Sequence, residues 1–338
     1  MNVAVVILNW NGLDLLKKFL PSVIRESAGI ADIYLADNGS TDDSIKWISN
    51  KYPDVKVINN KDNLGFAGGY NKALQSINSR YFVLINSDLE VTSGWITPVI
   101  DYMEQNPDVA ACQPKILSLN SKDTFEHAGA AGGFIDKYGY PFCRGRVFDT
   151  IEKDTGQYDS LTDIFWASGA CMFIRSEVWK KTGGFDPDFF AHMEEIDLCW
   201  RINSLGYKIR YIPQSTVYHL GGGTLNYNSP SKIYYNFRNN LYMLHKNLPR
   251  GKRFPTICLR LLLDGVAGFR FLFTLKFDAF RQILRAHMAY YSNLKSLNNK
   301  RKKIQDKSTF YPEKLILKKS IVFEYYLRGR KKFNELWK

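Results

Sequence analysis

The sequence predicts an α/β fold: a mostly parallel sheet flanked by helices, with a basic helical extension at its C-terminal end. Three observations carry this. Over about the first 90 residues, short apolar runs alternate with segments of helical periodicity, the pattern of a parallel sheet covered on both faces. Each apolar run ends near a polar cluster: Asn9–Asn11, Asp37–Asp42, Asn60–Asn63 and Asn86–Asp88. Ligands of such sheets bind beyond the carboxyl ends of the strands, so one composite site is expected there. Third, charge divides the chain. From Lys246 onward there are 23 Lys+Arg against 6 Asp+Glu, a net of +17, while the first 245 residues hold 23 basic and 27 acidic side chains.

Residues 3–8 (VAVVIL) read as a buried parallel strand. A helix is expected over Leu13–Ile24, a strand over 32–40 running into a loop, and a helix over Thr41–Asn50 with Ser40 or Thr41 as N-cap. Residues 55–60 form the third strand, Gly68–Ile77 a helix and 81–88 the fourth strand. The stretch 111–165 is rich in Gly and turns. An apolar strand then leads into a helix over 166–179, a further helix covers about 194–205, and 209–220 is a strand. Beyond 253 the pattern is helical. Val266, Phe269, Phe273, Phe277, Phe280, Leu284 and Met288 mark one apolar face, with Arg270, Arg281 and Arg285 off it. The expected division is 1–245, with halves 1–110 and 111–245, and then 246–338.

Five cysteines without C-x-x-C spacing give no disulfide framework or zinc site. No secretory leader pattern and no stretch of 18 uncharged apolar residues is found. A cytoplasmic protein, peripheral on the inner face of the cell membrane, is therefore expected. The apolar stripe, with KRKK (300–303) and RGRKK (328–332), fits an interfacial helix plus basic patch on anionic lipid. The alternatives are a helix packed on the catalytic part or a homodimer interface. Nucleic acid is not expected as a partner, because the charge comes without a recognition motif.

Several residues point to chemistry, each with a plainer alternative. In DNGSTD (37–42), Asp37 can accept hydrogen bonds from a nucleobase or ribose, or simply form an Asx-turn. The glycines of NLGFAGGYN (63–71) allow close backbone approach ahead of a helix N-terminus that favours a diphosphate, or merely close packing. Asp88 of NSD (86–88) offers a hard ligand for Mg²⁺ or Mn²⁺, or caps a helix. In FFAHMEEIDLCWR (189–201), Glu194, Glu195 and Asp197 crowd like charges, which suits a general base. Asp197 and Arg201, at i and i+4, can pair, which makes Asp197 more structural than Glu195. His219 is a further candidate metal ligand or diphosphate contact, or a structural histidine. Arg238 can neutralise a leaving phosphate, or lie on the surface.

The motifs VVILNWNG, DNGSTD, NLGFAGGYN, LINSD, GGFD, FFAHMEEIDLCWR and VYHLGGG, in that order, resemble family 2 of the inverting glycosyltransferases. The likeness spans about residues 2–245 and is nearest to bacterial rhamnosyltransferase-like members. It implies a GT-A fold, a nucleoside-diphosphate-sugar donor and a glycan or lipid-linked acceptor, with rhamnose from dTDP-rhamnose as the sugar. By position, Asp37 contacts the base and Asp88 the metal. Glu195 falls where the family carries its aspartate base; the pair here is Glu194–Glu195 rather than Glu-Asp, and the metal motif lacks the first aspartate of D-x-D. Donor contacts are assigned to Asn9, Asn11, Asp37, Asn38, Ser40, Asp42, Asn63, Gly65, Gly68, Asn71, Asn86, Ser87 and Arg238, and the acceptor side to Trp166, Ser168 and Gly169. The competing functions are a nucleotidyltransferase, whose usual Gly-rich basic loop after the first strand is replaced by NWNG, and a non-catalytic sugar- or polymer-binding subunit.

Overall fold

The computed structural model describes residues 2–126, 129–221 and 230–337. Its first half is built from β1 (Val3–Asn9), α1 (Leu13–Ser27), β2 (Asp32–Asp37), α2 (Ser44–Lys51), β3 (Lys56–Asn59), α3 (Gly65–Leu74) and β4 (Tyr81–Asn86). Next come β5 (Leu89–Val91), α4 (Thr97–Gln105), β6 (Val109–Ser118), β7 (Gly133–Asp136), β8 (Pro141–Cys143), β9 (Arg146–Val147), β10 (Thr150–Ile151) and β11 (Thr162–Asp163). Then follow β12 (Cys171–Arg175), α5 (Ser176–Thr182), α6 (Glu194–Ser204) and β13 (Lys208–His219). The remainder is α7 (Pro230–Asn247), α8 (Arg250–Phe273), α9 (Phe277–Ser292), α10 (Leu294–Gln305), β14 (Ile316–Leu317), α11 (Ile321–Tyr326) and α12 (Phe333–Leu336).

The main sheet runs β11-β13-β6-β12-β4-β1-β2-β3, with β5 on β13. The strands β4, β1, β2 and β3 are parallel, while β12 lies antiparallel between β4 and β6. Period-two alternation sends Val3, Val5 and Ile7 into one apolar layer with α1 and α4. Ala4 and Val6 enter the other with α3 and α6. Register aligns the strand ends: Asn9 pairs with Asp37, Asp37 with Asn59, and Leu8 with Asn86. The four polar clusters therefore meet at one rim.

Three details differ from the sequence reading. First, α2 begins at Ser44, and its N-cap is Asp43, without a side-chain cap bond, rather than Ser40 or Thr41; Asp42, one residue earlier, accepts from Ser44 N through Oδ1 at 3.1 Å and from Leu13 N through Oδ2 at 3.0 Å. Second, α3 starts at Gly65, three residues before the expected Gly68. Third, the apolar stripe of the tail is not one helix. Leu275, at φ 56°, breaks it, and Phe273 and Phe277 lie on two packed helices, α8 and α9.

The C-terminal segment returns to the body. A second sheet, β10-β9-β8-β7-β14, takes its last strand from it. Ile321 N donates to Asp136 Oδ2 at 3.0 Å, and Phe333 and Trp337 pack on Phe134 with ring centres 5.1 and 5.6 Å apart. The boundary expected at 245 falls inside α7.

Candidate active site

Beyond the strand ends lies a cavity of about 780 Å³, walled by Asn9, Asn11, Asn38, Asn63, Gly65, Asn86, Ser87 and Asp88, together with Trp166, Ser168, Gly169, Glu194, Glu195 and His219. Fourteen of the expected site residues thus meet in one space. Asp37, Ser40, Asp42, Gly68, Asn71, Asp197 and Arg238 do not line it. Trp10, 45% exposed, adds an aromatic face at the wall that the sequence reading left out.

Asp37 is fully buried beneath this wall. Its Oδ1 accepts from Asn9 Nδ2 at 3.0 Å and Ser40 Oγ at 2.6 Å, and its Oδ2 from Ser40 N at 2.9 Å. Both of its oxygens are thereby engaged in holding the loop. Asn9, thereby oriented, keeps Oδ1 without a partner among the described residues.

The glycine-rich segment likewise serves packing. Gly65 is left-handed at φ 70°, and a Cβ there would lie 2.6 Å from the Phe190 carbonyl oxygen. That oxygen accepts from Phe66 N at 2.7 Å and Ala67 N at 3.2 Å. Two of the first amides of α3 are consequently spent on Phe190. A Cβ at Gly68 would press on Leu64, and Asn71 pins the 184–186 turn through Phe185 N at 2.9 Å and Phe185 O at 2.8 Å.

Asp88 and His219 do come together. Nε2 of His219 stands 3.0 Å from Asp88 Oδ1, and Nδ1 stands 3.1 Å from Glu126 Oε2. Burial opposes the charged ring, but the two carboxylates outweigh it and hold its pKa up at about 10. Among the described residues there is no cluster of three or more metal-ligating side chains. The pair still fits a divalent ion, which would take the place of the proton on Nε2, because octahedral ligands at about 2.1 Å stand about 3 Å apart, and phosphate oxygens and water complete such shells. Glu126, on the far side of the ring, is the usual outer partner of a ligating histidine. It was missed because it sits in the turn-rich stretch with no motif around it. Of the three glycines after His219, Gly222 and Gly223 lie outside the described residues.

The carboxylates of α6 are launched from a strained turn. Phe190, His192 and Met193 have φ values of 62°, 68° and 71°, a conformation that costs roughly 1–3 kcal/mol at a non-glycine residue. Asn239 clamps it, with Nδ2 donating to the carbonyls of Phe189, Ala191 and His192 at 2.9, 2.9 and 2.7 Å. Arg238, expected at a phosphate, instead turns its Nη2 to the Asp188 and Phe189 carbonyls at 2.6 and 3.1 Å. Its place is behind the turn, among Tyr234, Tyr235 and Tyr242.

Asp197 is structural. It is fully buried, with Arg201 Nε at 3.0 Å on one oxygen and Lys246 Nζ at 3.0 Å and Asn247 Nδ2 at 2.8 Å on the other. Glu194 and Glu195 face the cavity, and Oε2 of each has no partner among the described residues. Burial raises Glu195 to about 7, against the pull of backbone amides at the start of α6. Burial and then the neighbouring Glu195 hold Glu194 well above the carboxylate range. Two acids of different affinity for a proton, side by side in a cavity wall, suit proton abstraction at neutral pH.

On the expected acceptor side, Trp166 Nε1 donates to Phe134 O at 2.9 Å, and its ring lies so close over Gly133 that no Cβ would fit. Ser168 N donates to Gln113 Oε1 at 2.8 Å. Gly169 faces Phe66, with Glu195 beyond it. The rest of this wall, unforeseen from sequence, includes Tyr140, Phe148, Arg146, Lys232 and Arg260.

Comparison with known proteins bears on the family and the fold. The chain is 26% identical over 219 residues to the N-acetylglucosaminyl-diphospho-decaprenol L-rhamnosyltransferase of Mycobacterium tuberculosis, covering 60% of this chain and 71% of the relative. Among solved structures it resembles S. aureus TarS 1-349 in complex with UDP-GlcNAc at TM-score 0.57 and 12% identity, over 91% of this chain and 88% of that one. It also resembles GalNAc-T7 with UDP, GalNAc and Mn²⁺ at TM-score 0.56 and 18% identity, over 73% of this chain, but it spans only 48% of that protein. At such identities the structures speak to the GT-A-like fold alone. The profile of glycosyl transferase family 2 matches residues 4–181. Since that match runs from β1 through α5 and takes in the strand-end loops that wall the cavity, the chain belongs to glycosyl transferase family 2.

Proposed function

We propose that the protein transfers a sugar from a nucleoside-diphosphate donor to a lipid-linked or cell-surface glycan by a single, inverting displacement. The observation that carries this is the Glu194–Glu195 pair, open to the cavity and held near neutrality on one member. Glu195 takes the proton from an acceptor hydroxyl. The oxygen attacks the anomeric carbon from the face opposite the diphosphate, the C–O bond to the diphosphate breaks with its electron pair, and the configuration inverts. Glu194, held well above the carboxylate range by burial and by Glu195, stands beside it. Asp88 and His219 are the groups to hold Mg²⁺ or Mn²⁺, which when bound stabilises negative charge on the diphosphate; the Mn²⁺ of GalNAc-T7 supports this. The name of the mycobacterial relative supports rhamnose as the sugar and a lipid diphosphate as its anchor. The test is a panel of nucleotide sugars with Mg²⁺ or Mn²⁺, read by release of nucleoside diphosphate. Release from one donor, abolished by EDTA, is expected. Failure of every donor to react or to raise the melting temperature would favour the binding-subunit alternative.

The place of work is proposed to be the cytoplasmic membrane face. No helix among the described residues is long and apolar enough to cross a membrane. Yet Phe269, Phe273, Leu275 and Phe277, at the α8–α9 junction, are 60%, 86%, 74% and 61% exposed. Arg270, Lys276 and Arg281 lie among them, which matches an interfacial wedge on anionic lipid. Flotation with phosphatidylglycerol vesicles at low salt should recover the wild type and lose Phe273→Ser/Phe277→Ser; equal flotation of both would refute the wedge.

A further inference from the structure

The cavity wall holds a guanidinium that the transfer chemistry above does not use. Arg260, on α8, is 5% exposed. Its Nε donates to Asp264 Oδ1 at 2.8 Å, and its guanidinium carbon lies 3.7 Å from the centre of the Tyr140 ring. Asp264 is braced in turn by His287 of α9 at 3.3 Å. The fork is thus fixed from two sides, while Nη1 has no hydrogen-bond partner among the described residues. An unmet buried donor costs about 1–3 kcal/mol, and more when charged. Such a group in a cavity wall marks the place of an acceptor atom.

Two further cations, Arg146 and Lys232, line the same cavity, with Tyr140 and Phe148. None of them belongs to the strand-end rim that carries Asp88. Guanidinium forks match phosphate oxygens in geometry and charge. The helix that presents Arg260 continues to exposed Leu262, Val266, Phe269 and Phe273, and about 20 Å of helix axis separates Arg260 from Phe273.

We infer that Arg260, with Arg146 and Lys232, forms a second anion subsite that takes the diphosphate of the acceptor, whose lipid chain follows the exposed apolar residues of α8 and α9. This rests on the reading of the acceptor as lipid-linked. Two diphosphates then occupy one cavity on different groups: the donor's at Asp88 and His219, the acceptor's at Arg260.

Calorimetric titration of the full chain with geranyl diphosphate in EDTA tests it, with inorganic pyrophosphate and geraniol as separate arms. Geranyl diphosphate should bind. Arg260→Lys, which keeps a cation for Asp264 but loses the fork, should weaken that binding at least tenfold. Asp88→Asn should leave it unchanged. Arg260→Met/Asp264→Leu, which removes the buried pair together, should behave like Arg260→Lys. Binding that survives Arg260→Lys in a folded protein, or is lost with Asp88→Asn, would overturn the subsite. Equal affinity for pyrophosphate would overturn the lipid assignment, and so would equal affinity for geraniol the anion assignment. Nucleotide-sugar stabilisation of the Arg260 variants, measured alongside, separates the two readings: a donor that binds while geranyl diphosphate does not leaves transfer standing and removes the subsite alone.

Discussion

Glu195→Gln is expected to lower turnover by about 10²–10⁴-fold, the usual worth of a positioned general base, while donor binding is retained. The wild-type rate should rise with pH through about 7, where Glu195 loses its proton, and the residual rate of the variant should lack that step. Stability should move the other way. Because burial raises the folded-state pKa of Glu195 from an ordinary 4.5 to about 7, its contribution is fully present below the ordinary value and is lost as pH climbs to about 7. The variant escapes that loss. Its melting temperature should match the wild type near pH 5 and exceed it by several degrees at pH 8. A variant that turned over normally would move the base to another residue, Glu194 first.

The second large effect is at the histidine–carboxylate arrangement. Asp88→Asn should cost about 10²–10³-fold in turnover, in the range of losing one preorganised electrostatic contact at a leaving group. It should also abolish the extra thermal stability that Mn²⁺ and nucleoside diphosphate confer together on the wild type. Glu126→Gln, which keeps the volume but weakens the brace on His219 Nδ1, should lower metal affinity by about 10–100-fold. If both variants kept the metal-dependent stabilisation, Asp88 and His219 would be an ion pair without a metal role.

The rim of the site was legible because a parallel sheet leaves little freedom. Once residues 3–8 and 81–86 are strands, Asn9 and Asn86 must arrive at one edge, and register places Asp37 beside them. The Glu194–Glu195 pair was legible from local crowding alone. What escaped was side-chain direction, which depends on distant packing. Asp37 ends the right strand, but Asn9 and Ser40 close over it. Arg238 stands next to Asn239 in sequence and shares its task, because α7 passes behind the strained turn at 190–193. Glu126 and Arg260 carry no motif, and the fold alone brings them to the cavity. The split between α8 and α9 had no glycine or proline to announce it; Thr274 closes α8 by donating to the Arg270 carbonyl at 3.0 Å, and Leu275 takes the left-handed turn.

The central claim is single displacement with Glu195 as base. The most direct measurement is the anomeric configuration of the sugar in the first product formed, read by one-bond C–H coupling in NMR on material made from the donor that releases nucleoside diphosphate. The account predicts a configuration opposite to that of the donor. Retention would contradict it, since it requires a second displacement or front-side attack for which a base at Glu195 is not enough.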